Sequence, residues 1–312
     1  MRTLMSHTET QSMEMNWVDV ASRNVAGIPT MTPSTVKWIS QSVLYLCQFL
    51  GQNSPDPRQW QPLEIHAWHQ QLLQTVSAVT ANSYLRGVKT LCARLYKLGH
   101  LTNNPTLHIP YAPEPPAQPK AIKLGTYRAM RSAAQTTRDT AIIDTLWGTG
   151  CRITELTTMA LTTLELWAEN DKHCMAIQVR GKFGKARYVY SDAAKSIADW
   201  LNERPTDRTH ALFTTQHGKP LTTNAIQSIL RKARISANLP KNTVANAHSF
   251  RHAFAIRMLD AGHDISAVSA WLGHEDPTFT ARVYVIRRED ELRRKYFNHN
   301  GHNSHNGHNG RY

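Results

Sequence analysis

The chain has 312 residues, 41% of them hydrophobic, with 36 Lys and Arg against 23 Asp and Glu for a formal charge of +13. That length exceeds one average domain and suits two, and the apolar fraction is enough for packed cores. A cationic excess of this size gives little to an enzyme of small neutral molecules and points to a polyanionic partner, nucleic acid first.

Residues 1–26 are polar and lack periodicity, so they are expected to form a flexible N-terminal arm. They contain no apolar core of signal-peptide length, and no run of about 18 apolar residues occurs anywhere. The expected location is therefore cytoplasmic, with no membrane partner. Thr32-Pro33 reads as a helix start, Thr as cap and Pro in the first turn. Val36, Ile39, Val43, Leu46 and Leu50 come next at helical spacing up to Gly51. A second helix is predicted over 81–98, with Tyr84, Val88, Leu91, Leu95 and Leu98 in one apolar stripe. Arg86, Lys89, Arg94 and Lys97 fall opposite, and Gly99 makes a left-handed stop. A cationic face of this kind suits either DNA phosphates or plain solvent.

Four prolines within residues 111–120 rule out helix and central strand and predict a semi-stiff linker. That boundary sets an all-helical domain over 27–110 and a second domain over 121–297. The second domain reads as mostly helical except at Met175–Arg180 and Ala186–Tyr190, which alternate on either side of Gly181-Lys-Phe-Gly184 and predict a β-hairpin. The tail, 298–312, repeats His299, His302, His305 and His308 among Asn and Gly; disorder is expected there, with metal binding the alternative. Cys47, Cys92, Cys151 and Cys174 have no zinc-knuckle spacing and read as buried thiols in a reducing compartment.

Five segments of the second domain carry candidate chemistry. Arg152, after the turn Gly148-Thr-Gly150, opens a helical pattern and offers a planar fork of donors to a phosphate. Lys182 sits at the hairpin bend among Arg180, Lys185 and Arg187, with no acid between 180 and 187. Its ammonium suits either a phosphate contact or proton donation to a leaving oxygen. His248 and Arg251, three apart, share a helix face, so the imidazole resists protonation. His252 points elsewhere on that helix. His274 comes directly after Leu272-Gly273, and Tyr284 ten residues later with Arg287, Arg288, Arg293 and Arg294 behind it. A phenol of ordinary pKa about 10 needs such cations before it becomes a nucleophile.

Together these segments resemble the tyrosine recombinase, or phage integrase, family over about residues 30–296. Gly150-Cys-Arg-Ile-Thr-Glu-Leu156 resembles its first box, with Cys151 where the family usually has Leu. Lys182 matches its hairpin lysine, His248-Ser-Phe-Arg251 its His-x-x-Arg box, Leu272-Gly-His274 its next box and Tyr284 its nucleophile. Lys97–Pro105 is similar to the closing segment of the family's N-terminal domain. Residues 161–172 match poorly.

The resemblance implies a mainly α fold with a small β-hairpin or sheet, arranged as a two-domain DNA clamp: a helical core-binding domain and a mixed α/β catalytic domain. It implies a site-specific recombinase that cleaves and rejoins DNA through a 3′-phosphotyrosyl intermediate without cofactor or metal. Tyr284 would be the nucleophile, Arg152, Arg251 and His274 the phosphate ligands, Lys182 the proton donor to the leaving 5′ oxygen and His248 an aid to proton transfer. Glu155 would orient the site. Arg86, Lys89, Lys97, Arg180, Lys185 and Arg187 are the expected DNA contacts. The implied partners are double-stranded DNA, three further copies of the chain in a homotetramer on two DNA sites, and a partner recombinase in some systems. Glu289–Phe297 would be the element that docks on a neighbouring copy. A type IB topoisomerase shares this chemistry, and a non-catalytic DNA-binding protein shares the charge. A metal-dependent nuclease would need clustered carboxylates, and these boxes hold only Glu155. Dimer resolution and mobile-element integration are not separated by these residues.

Overall fold

The computed structural model describes residues 17–22, 30–51, 56–115, 120–181, 184–205 and 209–273. Two compact units divide the chain, residues 1–116 and 117–312. Among the described residues no helix is long and apolar enough to cross a membrane.

The first unit holds α1 (Pro33–Leu50), α2 (Pro62–Thr75) and α3 (Ala78–Lys97). α1 starts as its sequence predicts: Thr32 Oγ1 accepts the Thr35 N–H at 3.3 Å, Pro33 occupies the first turn, and Gly51 ends the helix at φ 63°. The predicted stripe of α3 faces the core, with Val88, Leu91 and Leu95 fully buried. Ile39, Val43 and Leu46 of α1 pack on it, closed by Trp60, Ile65 and Trp68. Each such aliphatic side chain contributes about 1.5–3 kcal/mol of burial free energy. α1 and α3 approach so closely that a Cβ on Gly87 would run into the side chain of Ser42. α2, which carries Ile65 and Trp68, is an element the sequence pattern does not predict.

A buried amide ties the end of this unit down. Asn82 Nδ2 donates to the Ala112 carbonyl and to Glu114 Oε1, both at 2.8 Å. Its Oδ1 accepts the Ala112 N–H at 3.0 Å and faces His69 Nε2 at 3.0 Å. An amide oxygen cannot donate, so Nε2 carries the proton. Burial, only partly offset by the Asn82 bond, lowers the His69 pKa and keeps the ring neutral.

The second unit runs α4 (Leu124–Ser132), α5 (Thr137–Thr149), α6 (Ile153–Thr157), a 3₁₀ turn (Leu161–Thr163), β1 (Leu164–Glu169), β2 (Lys172–Arg180), β3 (Ala186–Ser191), α7 (Ala194–Glu203), α8 (Thr223–Ser236), α9 (Ala247–Asp260) and α10 (Ile265–Leu272). α5 is its axle: every side chain from Ala141 to Trp147 is buried. Its one buried carboxylate, Asp144, accepts from Arg131 Nε at 2.8 Å and from the Tyr127 hydroxyl at 2.9 Å. Tyr127 stacks on Trp147 with centroids 4.3 Å apart, and Arg257 lies 4.1 Å over the same indole.

The expected class, mainly α with a small sheet, is the one observed. The sheet has three antiparallel strands in the order β1-β2-β3 rather than a bare hairpin. β2 and β3 pair as predicted, Ile177 opposite Val189 and Arg180 opposite Ala186. β1 lies where the sequence predicts no element. It joins β2 through Asn170 and Asp171, both at positive φ (48° and 61°), the backbone of a two-residue type I′ hairpin.

Candidate active site

Gly150 turns the chain out of α5 at φ 60°, and a Cβ there would lie 2.7 Å from Phe254 Cγ, so the turn requires glycine twice over. The reversal delivers Arg152 as the residue capping α6. Glu155, one turn on, accepts the Arg152 backbone N–H at 2.7 Å through Oε2 and its guanidinium Nη1 at 2.9 Å through Oε1. This is the reciprocal half of a capping box, and it aligns the Arg152 side chain from both ends.

The end of α10 supplies the next layer. The last carbonyls of a helix have no partner within it. Here three consecutive ones accept from arginines. The Trp271 oxygen takes Arg187 Nε at 2.9 Å, the Leu272 oxygen takes Arg251 Nη2 at 2.6 Å and Arg152 Nη1 at 3.5 Å, and the Gly273 oxygen takes Arg152 Nη2 at 3.0 Å. Arg251, on the second turn of α9, also donates from Nη1 to the Gly150 oxygen at 3.0 Å. The negative end of a helix dipole thus faces a cluster of cations.

Glu155 is the one carboxylate bonded to these guanidiniums among the described residues. Arg187 grips it in a fork, Nη1 to Oε1 at 2.7 Å and Nη2 to Oε2 at 2.9 Å. Burial pushes the Glu155 carboxyl up, but the Arg187 and Arg152 hydrogen bonds prevail and its pKa lies below the usual carboxylate value. Arg251, 6% exposed, is brought down to about 10 by burial and then by Arg152, so it stays charged at neutral pH. Three guanidiniums against one carboxylate leave two positive charges uncompensated, an arrangement complementary to a phosphodiester. Cys151 beneath them is fully buried and its thiol is pushed up to about 12 by burial, which keeps it inert.

Of the other expected site residues, His248 is exposed on the first turn of α9. It borders a groove of about 660 Å³ lined also by Ile153, Arg231, Arg234 and Lys241. Next to it, His252 is lowered by burial, with His248 and Arg251 adding to the effect. Lys182, His274 and Tyr284 lie outside the described residues, as do Glu289–Phe297, the tail and residues 1–16 of the expected arm 1–26; residues 17–22 of that arm are instead helical, with Val18 and Ala21 buried in the core of the first unit.

Of the expected DNA contacts, Lys97, Arg180 and Lys185 are exposed. Arg86 and Lys89 lie over the Tyr111 ring at 5.4 and 4.8 Å, and Arg86 comes within 3.9 Å of Glu114. Arg187 departs from the expectation of a DNA-facing side chain: it points inward, its side chain 16% exposed, because alternation along β3 places it on the face of Val189. Arg231 of α8 and Lys241 in the turn after it, both at the His248 groove, escape sequence reasoning, since nothing local marks this stretch as a border of the site. Among the described residues no group of three or more His, Cys, Asp or Glu could hold a metal.

Known proteins resemble this architecture closely enough to place it. The sequence profile described as the Phage integrase family matches residues 125–291. A protein named tyrosine recombinase XerC from Leptospira interrogans is 25% identical over 276 residues, spanning 84% of this chain and 86% of its own. The XerH site-specific recombinase bound to a palindromic difH substrate superposes with a TM-score of 0.67 at 17% identity, covering 91% of this chain and 83% of that one. A λ integrase tetramer bound to a Holliday junction gives a TM-score of 0.67 at 14% identity, with 86% and 76% covered.

Proposed function

This chain belongs to the phage integrase family of tyrosine recombinases, and from that premise we propose that it is a site-specific recombinase that cuts and rejoins duplex DNA through a 3′-phosphotyrosyl intermediate. The observation that carries the reading is the bonding of Arg152 and Arg251 to the same Leu272 oxygen, two residues before His274 in sequence. Two guanidiniums held side by side, one of them buried with no carboxylate bonded to it among the described residues, form a fixed donor set for the non-bridging oxygens of a phosphodiester.

In this reading Tyr284 attacks the scissile phosphorus, and the P–O bond to the 5′ oxygen breaks. The phosphodiester energy stays in the new phosphotyrosyl ester, so rejoining needs no nucleotide. The pentavalent state gathers negative charge, which Arg152, Arg251 and His274 neutralise. Lys182 protonates the leaving 5′ oxygen, and His248, next to Arg251 on α9, helps remove the proton of Tyr284. Glu155 fixes Arg152 rather than reacting. Residues 27–110 act as the core-binding domain and 121–297 as the catalytic domain, joined by the linker 111–120, with Lys97, Arg180 and Lys185 on phosphates. Exchange between two sites requires paired cleavages, so four copies on two duplexes are proposed, in the manner of the λ integrase tetramer.

The test is trapping on nicked suicide substrates tiled across the DNA that flanks the coding sequence. The wild type should form a covalent protein–DNA adduct resistant to EDTA, and Tyr284→Phe should bind the same DNA without forming it. An adduct retained by Tyr284→Phe would move the nucleophile elsewhere, Tyr296 first. A two-site plasmid assay yielding recombinant product, rather than relaxed circles alone, separates this reading from a topoisomerase.

A further inference from the structure

We propose that Arg187 is a positioning residue of the strand-cleavage reaction, holding Arg152 through Glu155 and holding the end of α10 through the Trp271 oxygen; this rests on the reading of Arg152 as a phosphate ligand. Arg187 belongs to the most cationic segment of the second unit, where a groove-contacting role is the natural expectation. Its guanidinium does something else. All three nitrogens donate within the protein, Nε to Trp271 and both Nη to Glu155. It lies against the backbone of Gly273, where an added Cβ would stand 2.9 Å from Nη1.

The Glu155 carboxylate, its side chain 1% exposed, accepts four hydrogen bonds: two from Arg187 and two from Arg152. That fills the in-plane capacity of the group. Without Arg187, half of those bonds vanish inside a water-poor pocket. The carboxyl then either gains a proton or draws the Arg152 guanidinium towards itself. Both outcomes disturb the Arg152 bond to the Gly273 oxygen and with it the fork offered to phosphate. Arg187 therefore links β3, α6 and α10 at a point where a displacement passes to a phosphate ligand through one carboxylate. Misplacement by about 1 Å is enough to cost roughly 100-fold in rate.

The experiment compares the full-length wild type, Arg187→Gln, Arg187→Lys, Glu155→Gln and the double variant on one trapping substrate. Adduct formation is followed in a single turnover at saturating DNA, beside the DNA Kd, its salt dependence and the melting temperature. Arg187→Gln should bind within about threefold of wild type, with an unchanged salt slope, and form adduct about 100-fold more slowly. Arg187→Lys should restore part of the rate, and the double variant should react no more slowly than the slower single.

A phosphate-contact role predicts the reverse: weaker binding, a salt slope reduced by about one, and a normal rate at saturation. That result overturns the proposal, as does a rate loss accounted for by the unfolded fraction alone. If Arg187→Gln does not fold, Arg187→Lys decides on the same readouts: a slowed rate with wild-type affinity supports the role, and a wild-type rate removes it. A wild type that forms no adduct on any substrate fails the functional reading itself, an outcome distinct from equal reaction of wild type and variant.

Discussion

Arg152, at the start of α6, and Arg251, on α9, donate to one oxygen, the carbonyl of Leu272, at 3.5 and 2.6 Å. Their spacing is thus set by a backbone atom that belongs to neither helix. Removing either should cost what the loss of an oxyanion donor costs, about 100- to 1,000-fold in adduct formation. Arg251→Ala should also lower stability by about 1–3 kcal/mol, because it leaves the Gly150 and Leu272 oxygens without their buried donor. Quenched single-turnover trapping and thermal melts measure the two effects separately, and a wild-type rate in Arg251→Ala would remove it from the reaction.

Acid should loosen the site through Glu155. Its folded pKa lies below the usual 4.5, so the ionised form is favoured on folding. The stability this confers is complete above 4.5 and is lost as pH falls through the folded value. Melting curves from about pH 7 to about pH 3.5 should therefore show the gap between wild type and Glu155→Gln closing on acidification. A gap that stays constant would mean that the carboxylate is not held as described.

Two glycines in the left-handed region predict different costs. Gly150→Ala places a methyl 2.7 Å from the Phe254 ring, whereas Gly262→Ala, at φ 89°, meets nothing within 4 Å. Gly262→Ala should lose about 1–2 kcal/mol from backbone strain alone. Gly150→Ala should lose about 1–3 kcal/mol more, because the buried ring cannot move aside. Urea denaturation monitored on the second unit checks the order of the two, and equal midpoints would contradict it.

Asn82→Ala should release residues 112–114 from α3. It leaves the His69 Nε2–H and the Ala112 N–H without their acceptor, at about 1–3 kcal/mol each if they stay dry. Faster tryptic cleavage after Lys120 is the expected readout, and an unchanged cleavage rate would show that Tyr111, under Arg86 and Lys89, suffices to hold the segment.

Much of the fold is legible in the sequence because it depends on local rules. Thr32-Pro33 and Gly51 bound α1, and Gly150 ends α5, since caps and left-handed stops are chosen by single residues. Arg152 bonds Glu155 and shares the Leu272 oxygen with Arg251, so three of the segments quoted for the resemblance converge. β1 is not legible in the same way, because Leu164–Glu169 lies mostly exposed and lacks a regular apolar alternation. The signal that marks it is Asn170-Asp171, the residue types a type I′ turn favours. The charge of its neighbourhood assigns Arg187 to DNA, while the alternation Arg187, Val189, Ser191 already places it on the inner face. Long-range polar partners, such as Asn82 with Ala112, leave no mark in the one-dimensional pattern.

Apart from the Glu155 carboxylate, the acceptors that organise the arginines are main-chain oxygens, those of Gly150, Trp271, Leu272 and Gly273. A point change in the gene can delete a side chain but not a carbonyl. Substitutions at Trp271 and Leu272 accordingly reach the cluster through packing alone, Leu272 being fully buried beside Phe254 and Val268. The main-chain acceptors themselves are lost where a codon alters the path of the backbone, as a proline or a loss of Gly273 would.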